Sequence, residues 1–312
     1  MKTSPRILPR LVSLLLLVAY AVPAHAADGP GLPWWFWALA LFVVSFAIGV
    51  VAVIAGVGGG VLFVPLVSSF FPFHLDFVRG AGLLVALSAA LSAAPTLLRT
   101  GIASLRLAMP LALIGSVTSI VGALLGFVVP VRALELALGV LILIIVLLMA
   151  ATKSADHPQV AKMDALAAVL GLRGLYEDRG LKREIEWMTH RTPAGLAAFA
   201  VIGLVGGLFG LGAGWANVPA LNLLMGAPIK LAVGTSGLAI SIINTSAAWI
   251  FLNRGAVLPI IVVPSIIGVI LGARIGAKLL TVTPGAVIRR LVIVMLALAG
   301  TRALLKGLGL WG

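Results

Sequence analysis

Cysteine is absent from the 312 residues, which excludes disulfides, thiolate metal sites and a cysteine nucleophile. Acidic residues are almost as scarce: nine Asp and Glu stand against 22 Lys and Arg, with four His. No HExxH pattern occurs, no pair of carboxylates falls inside an apolar run, and His74, His157 and His190 sit in connections. An intramembrane hydrolase or metalloenzyme needs such groups at bilayer depth, so an enzyme is not expected, and no metal or cofactor is expected. Neither glycine-rich stretch reads GxGxxG, and no Walker lysine follows one, so a nucleotide loop is not expected either.

What remains is apolar. The chain is 62% hydrophobic and 10% charged, with a mean hydropathy of +1.21. Its apolar runs are long enough to cross a bilayer, so the expected class is an all-α polytopic membrane protein. The net charge of +13 would suggest nucleic acid in a soluble domain. Here Lys and Arg cluster in short connections and at helix ends, which is the positive-inside pattern of a plasma-membrane protein, without nucleic acid.

In chain order, residues 1–26 carry Lys2, Arg6 and Arg10, the apolar run Leu11–Val22 and the small-residue site Ala24-His25-Ala26, as a secretory signal peptide does. Residues 34–151 form a first transmembrane repeat that opens on the interfacial aromatics Trp34, Trp35 and Trp37. Residues 152–192 form a polar linker, expected to be cytoplasmic. Its apolar residues Leu166, Val169, Leu170, Ile185 and Trp187 suggest one or two amphipathic surface helices. Residues 193–306 form the second repeat.

Each repeat carries a stretch least able to hold a helix. The first reads GVGGGVLFVP from Gly56 to Pro65. The second reads GGLFGLGAGWANVP from Gly206 to Pro219. An ungapped shift of 154 positions places Gly56, Gly58, Gly60, Pro65, Pro110 and Pro130 on Gly210, Gly212, Gly214, Pro219, Pro264 and Pro284. With background proline near about 5%, three such coincidences at one offset indicate duplication. Five segments per repeat give an odd number of crossings if the short segment after each break completes one, which inverts the second repeat. Arg99, Arg106, the linker, Lys230, Lys278, Arg289 and Arg290 then share the cytoplasmic face; Arg79, Arg132, Arg254, Arg302 and Lys306 fall on the other. A broken helix in lipid persists only where it is packed in protein or lines a polar cavity, so the two breaks are the candidate site.

These motifs resemble the TauE/SafE family of sulfite and organosulfonate exporters: a glycine-rich break leading to a proline, then a short loop and an Ala-Val-Gly-Thr-Ser helix start. The second repeat shows the pattern in full as GLGAGWANVPALNLLMGAPIKLAVGTS, and the first shows GVGGGVLFVPLV but has Arg79-Gly80-Ala81-Gly82 where the second has Val233-Gly234-Thr235-Ser236. The resemblance, over about Trp37 to Leu305, implies a multi-pass inner-membrane transporter exporting a small sulfur-containing anion, with lipid as its other partner and self-association allowed. Transport of a different anion and a non-transporting assembly role remain as alternatives.

The expected substrate site comprises Gly56, Gly58, Gly60, Arg79, Gly210, Gly212, Gly214, Asn217, Pro219, Gly234, Thr235, Ser236 and Asn244. Physically, Gly234 to Ser236 near a helix start offer amides and hydroxyls to an anion. Asn217 and Asn244 are uncharged donors in apolar sequence, whereas the equivalent Phe63, Ala81, Gly82 and Ala90 have no side-chain donor, so an asymmetric site is expected. The competing expectation is that these polar groups bind neighbouring helices, each worth under about 2 kcal/mol. Arg79 either snorkels to the interface, the simpler reading, or meets substrate. Gly268, Gly272 and Gly276, four apart, are expected to line a close helix contact.

Overall fold

The computed structural model describes residues 33–55, 58–99, 103–151, 160, 162–178, 183–212, 214, 216–279 and 285–310. The leader, Gly56 and part of the linker lie outside the described residues. In the first repeat α1 (Trp34–Ala55) is followed by the short α2 (Gly59–Phe70), then α3 (Leu75–Arg99), α4 (Leu105–Gly126) and α5 (Val131–Ala151). The second repeat has α7 (Thr192–Phe209), a single turn α8 (Asn217–Pro219) continuing as a π turn over Ala220–Leu224, then α9 (Ile229–Asn253), α10 (Pro259–Leu279) and α11 (Gly285–Gly307). Seven helices among the described residues are long and apolar enough to cross a membrane, so this is an all-α multi-pass membrane protein.

The 154-residue offset governs where helices begin. Leu75 and Ile229 open α3 and α9, Leu105 and Pro259 open α4 and α10, and Val131 and Gly285 open α5 and α11. The packing partners exchange accordingly. α1 packs on α10 while α7 packs on α4; α3 packs on α10 while α9 packs on α4; α3 meets α9 and α5 meets α11.

Close approaches at glycines give the directions. Gly268, Gly272 and Gly276 of α10 sit against the backbone of Phe42, Phe46 and Val50 in turn, so α1 and α10 run parallel. This is the close helix contact expected from their spacing. Lipid is as apolar as leucine, so such contacts, rather than apolar burial, hold the spans together. Helices equivalent by the repeat run oppositely. Gly80 near the start of α3 meets Ala256 past the end of α9, and Gly139 and Arg132 of α5 meet Leu304 and Gly307 of α11 in reverse order. The Arg132 Nε–H donates to the Gly307 carbonyl at 2.9 Å. Nearby, Lys306 pairs with Glu135 at 2.8 Å.

Each short segment turns back to the face its repeat came from. At 12 residues, α2 spans about 18 Å, roughly half a membrane. Phe71 and Phe73 beyond its end lie 5.9 and 6.0 Å, ring to ring, from Trp37 at the start of α1. In the second repeat the turn after the π segment returns to the linker: the His190 amide donates to the Met225 carbonyl at 3.1 Å, and Met225 lies on Gly195 in the first turn of α7. The two ends of the bundle are thus a Trp37 face and a linker face.

The linker departs from expectation. Its described residues hold one short helix, α6 (Ala165–Leu170), and an antiparallel hairpin of β1 (Arg173–Asp178) and β2 (Arg183–Met188) in place of a second amphipathic helix. Along Glu184-Ile185-Glu186-Trp187 polar and apolar residues alternate with a period of two, which is the pattern of a half-buried strand. Trp187 is buried over its cross-strand partner Gly174, which has no side chain to displace it.

Candidate functional site

The second break is built by backbone geometry. Gly210 closes α7 at φ +68° and Gly212 follows at φ +71°, left-handed values that a side chain would strain, so the helix stops here and resumes only at Asn217. In the first repeat Gly58 stands just outside α2 in extended geometry.

The two breaks touch. A Cβ built on Gly214 would lie 2.7 Å from the Gly58 Cα, and one built on Gly60 would run into the Leu211 carbonyl. Gly82 of α3 lies against the Gly210 carbonyl, and Gly59 is flanked by Val85, Ala89 and Val269. Glycines far apart in sequence therefore bring two chain breaks into backbone contact, a packing that any side chain at Gly214 would disrupt.

The described polar residues around this contact come mainly from the second repeat. Ser236, Ile240 and Asn244 follow one another at four-residue intervals and form one stripe of α9. The Ile240 Cδ1 reaches both Gly58 and Gly214, and the Asn244 amide abuts Gly212, where a Cβ would sit 2.6 Å from its Nδ2. Ser236 is one turn closer to the linker face. Asn217, in α8 packed on α9, is fully buried, and neither its Oδ1 nor its Nδ2 has a hydrogen-bond partner among the described residues. An unpaired buried amide costs about 1–3 kcal/mol per group, which a passing ligand would relieve. Pro219, two residues on, ends α8 and is exposed. The equivalent positions are apolar and packed: Phe63 and Ala81 are fully buried, and Ala90 nearly so.

Other expected site residues are held differently from the sequence reading. Gly234, Thr235 and Ser236 lie within α9, which starts at Ile229, so their amides belong to the helix and only side chains are left to meet a ligand. The Thr235 hydroxyl accepts the Ser104 amide at 3.2 Å, ahead of α4, whose first turn Ser104 caps by accepting from Leu107. Arg79 does not snorkel. It is 0% exposed, its Nη1 donates to Asp76 Oδ1 at 2.6 Å and to the Gly126 carbonyl at 3.0 Å, and its guanidinium lies 5.5 and 5.1 Å from the rings of Phe127 and Phe251. Asp76 lies one turn before Arg79, close enough to hold it inside. That i, i+3 spacing was the available sequence signal; Phe127, Phe251 and Ile240 gave none.

The family model for "Sulfite exporter TauE/SafE" matches residues 41–303, nearly the whole membrane part, including both breaks. The chain belongs to the sulfite exporter TauE/SafE family. It is accordingly a membrane transporter, of a family of transporters rather than enzymes. Comparison with curated proteins and with solved structures gives no match.

Proposed function

We propose that this TauE/SafE protein exports a small sulfur-containing oxyanion, sulfite or an organosulfonate, across the inner membrane, binding it where the two breaks meet. The observation that carries the reading is the fully buried Asn217 amide, three residues after Gly214 in sequence and without a hydrogen-bond partner among the described residues. Neutral donors suit an anion in a low-dielectric site: the Asn217 and Asn244 amides and the Ser236 hydroxyl can bind oxygen without a permanent countercharge. "Sulfur-containing" rests on the family alone. Uptake by proteoliposomes offered sulfite, thiosulfate, an alkylsulfonate and sulfate tests it. Sulfite or sulfonate should move fastest; selectivity for another anion would reassign the substrate, and no uptake of any would sink the transport reading.

The repeats are read as inverted, which the opposite directions of α3 and α9 and of α5 and α11 support, and the linker as cytoplasmic, as the positive-inside rule requires. In this cysteine-free background, His74→Cys and Arg254→Cys should label from outside intact cells. Val169→Cys on the linker should label only after permeabilisation. External labelling of Val169→Cys would reverse the orientation, and opposite behaviour of His74→Cys and Arg254→Cys would end the inversion.

A further inference from the structure

Arg79 is an expensive residue to bury for the bonds it makes. Of its donors only Nη1 is engaged; Nε and Nη2 are buried without an acceptor among the described residues. Structural arginines in apolar surroundings normally satisfy their planar fork with carbonyls or a bidentate carboxylate. Asp76 instead reaches a single nitrogen, at 2.6 Å, and its own side chain is 27% exposed. The surroundings are shaped to keep the fork in place. Gly126 lacks the Cβ that would fall on Nη2, and the Phe127 and Phe251 rings flank the guanidinium.

The location adds a second line. The Arg79 backbone packs directly on Gly210, the first residue of the second break. On the other side, Arg254, exposed at the Trp37 face, lies 5.7 Å from the same Phe127 ring. A buried cation and then an exposed one therefore lead from the break to water at the Trp37 face. Val233 occupies the equivalent position in the second repeat, so this arrangement exists on one side only.

We propose that Arg79 is a second anion-binding station, between the break and the Trp37 face, whose Nε/Nη2 edge takes an oxyanion while Asp76 competes for the guanidinium and closes the route. The station rests on the anion-transport reading and adds a gate to it. A dianion or monoanion leaving the central site exchanges its neutral amides for the guanidinium, displaces Asp76 towards water, and passes to Arg254. No bond is made or broken.

The test is sulfite and sulfate binding to the detergent-solubilised full chain by calorimetry, alongside sulfite flux in proteoliposomes. Asp76→Asn removes the competing charge but keeps the shape, so affinity should rise at least fivefold. Arg79→Lys keeps the charge and the Asp76 pair but lacks Nε and the second Nη, so affinity should fall at least tenfold. Asp76→Asn with unchanged or weaker binding would make the pair purely structural and overturn the proposal. If Asp76→Asn fails to insert, Arg79→Lys decides alone: unchanged affinity in that variant overturns it. Wild-type protein that moves sulfite while both variants behave as wild type defeats the station but leaves the transport reading intact. Wild-type protein that neither binds nor moves any oxyanion defeats both.

Discussion

The two short segments that follow the glycine breaks are paired by the 154-residue offset yet differ in kind. In the first, α2 runs unbroken through Pro65 as an α-helix, every described residue but the last is buried, and Ser68 bonds back to the Pro65 carbonyl. In the second, the helix lasts one turn before Pro219 and then widens, with the Met225 amide reaching the Ala220 carbonyl five residues back and Asn222 holding the Ala227 carbonyl at 2.8 Å. π turns concentrate where side chains are re-aimed for function. The first repeat has kept the packing half of the motif. The second has kept the polar half, with Asn217 against Phe63 and Asn244 against Ala90. The two halves brace each other, and of the positions that the 154-residue offset pairs around the breaks, it is the second half's that carry the side-chain amides.

The sharpest way to break this comparison is at the glycines themselves. Gly214→Ala puts a methyl 2.7 Å from the Gly58 Cα, whereas Gly58→Ala meets the Gly214 Cα at 3.2 Å with ordinary backbone angles. Overpacking of this kind costs about 1–3 kcal/mol. Gly214→Ala should therefore cut sulfite flux more than tenfold at equal membrane level, and Gly58→Ala less than threefold. Equal losses would mean that both breaks carry the same function. Next come the donors. Losing one buried hydrogen bond to a charged group costs about 1.5–3 kcal/mol, or roughly ten- to hundredfold in affinity. Asn217→Ala and Ser236→Ala should weaken half-saturation within that range, while Ala90→Ser in the other repeat leaves it unchanged. An effect at Ala90 as large as at Asn217 would restore a symmetric site.

A smaller effect is expected at Thr235. Its hydroxyl oxygen supports Ser104 ahead of α4, a neutral hydrogen bond worth about 0.5–1.5 kcal/mol. Thr235→Val should lower thermal stability slightly and leave substrate affinity within about threefold. A tenfold affinity loss in stable protein would return Thr235 to the binding site.

Much of this architecture was legible in the sequence because prolines and glycines act locally. Pro228, Pro259 and the glycine runs mark where helices start and stop, and the 154-residue offset needed no structure to be seen. The two breaks, which the offset puts at matching positions, lie in backbone contact at Gly58 and Gly214. The contents of the site were less legible. The length of α9 decides whether the amides of Gly234 to Ser236 are free, and that depends on a start at Ile229, five residues earlier than Gly234. The burial of Arg79 depends on Phe127, which caps the end of α4, and Phe251, which lies on α9. The hairpin was missed because Leu166, Val169 and Leu170 read at helical spacing and the period-two stretch around Trp187 was read in the same register.

The smallest expected effect is none, and it concerns what the two repeats share. Proton-coupled carriers place Asp, Glu or His at the transport site as relays. Among the described spans the acids are Asp76 and Glu135, one on α3 and one on α5; both lie toward the Trp37 face and are engaged by Arg79 and Lys306. Neither break has a titratable side chain among its described residues. Export of an anion from a cell that is negative inside needs none, because each charge leaving gains about 2.3 kcal/mol per 100 mV. With voltage clamped by a potassium gradient and valinomycin, an imposed pH gradient should leave the rate of sulfite monoanion movement unchanged once its concentration is held constant. An imposed potential should change that rate severalfold. A rate that follows the pH gradient instead would require a proton relay at the meeting point, and the neutral-donor site built from Asn217, Ser236 and Asn244 would have to be abandoned.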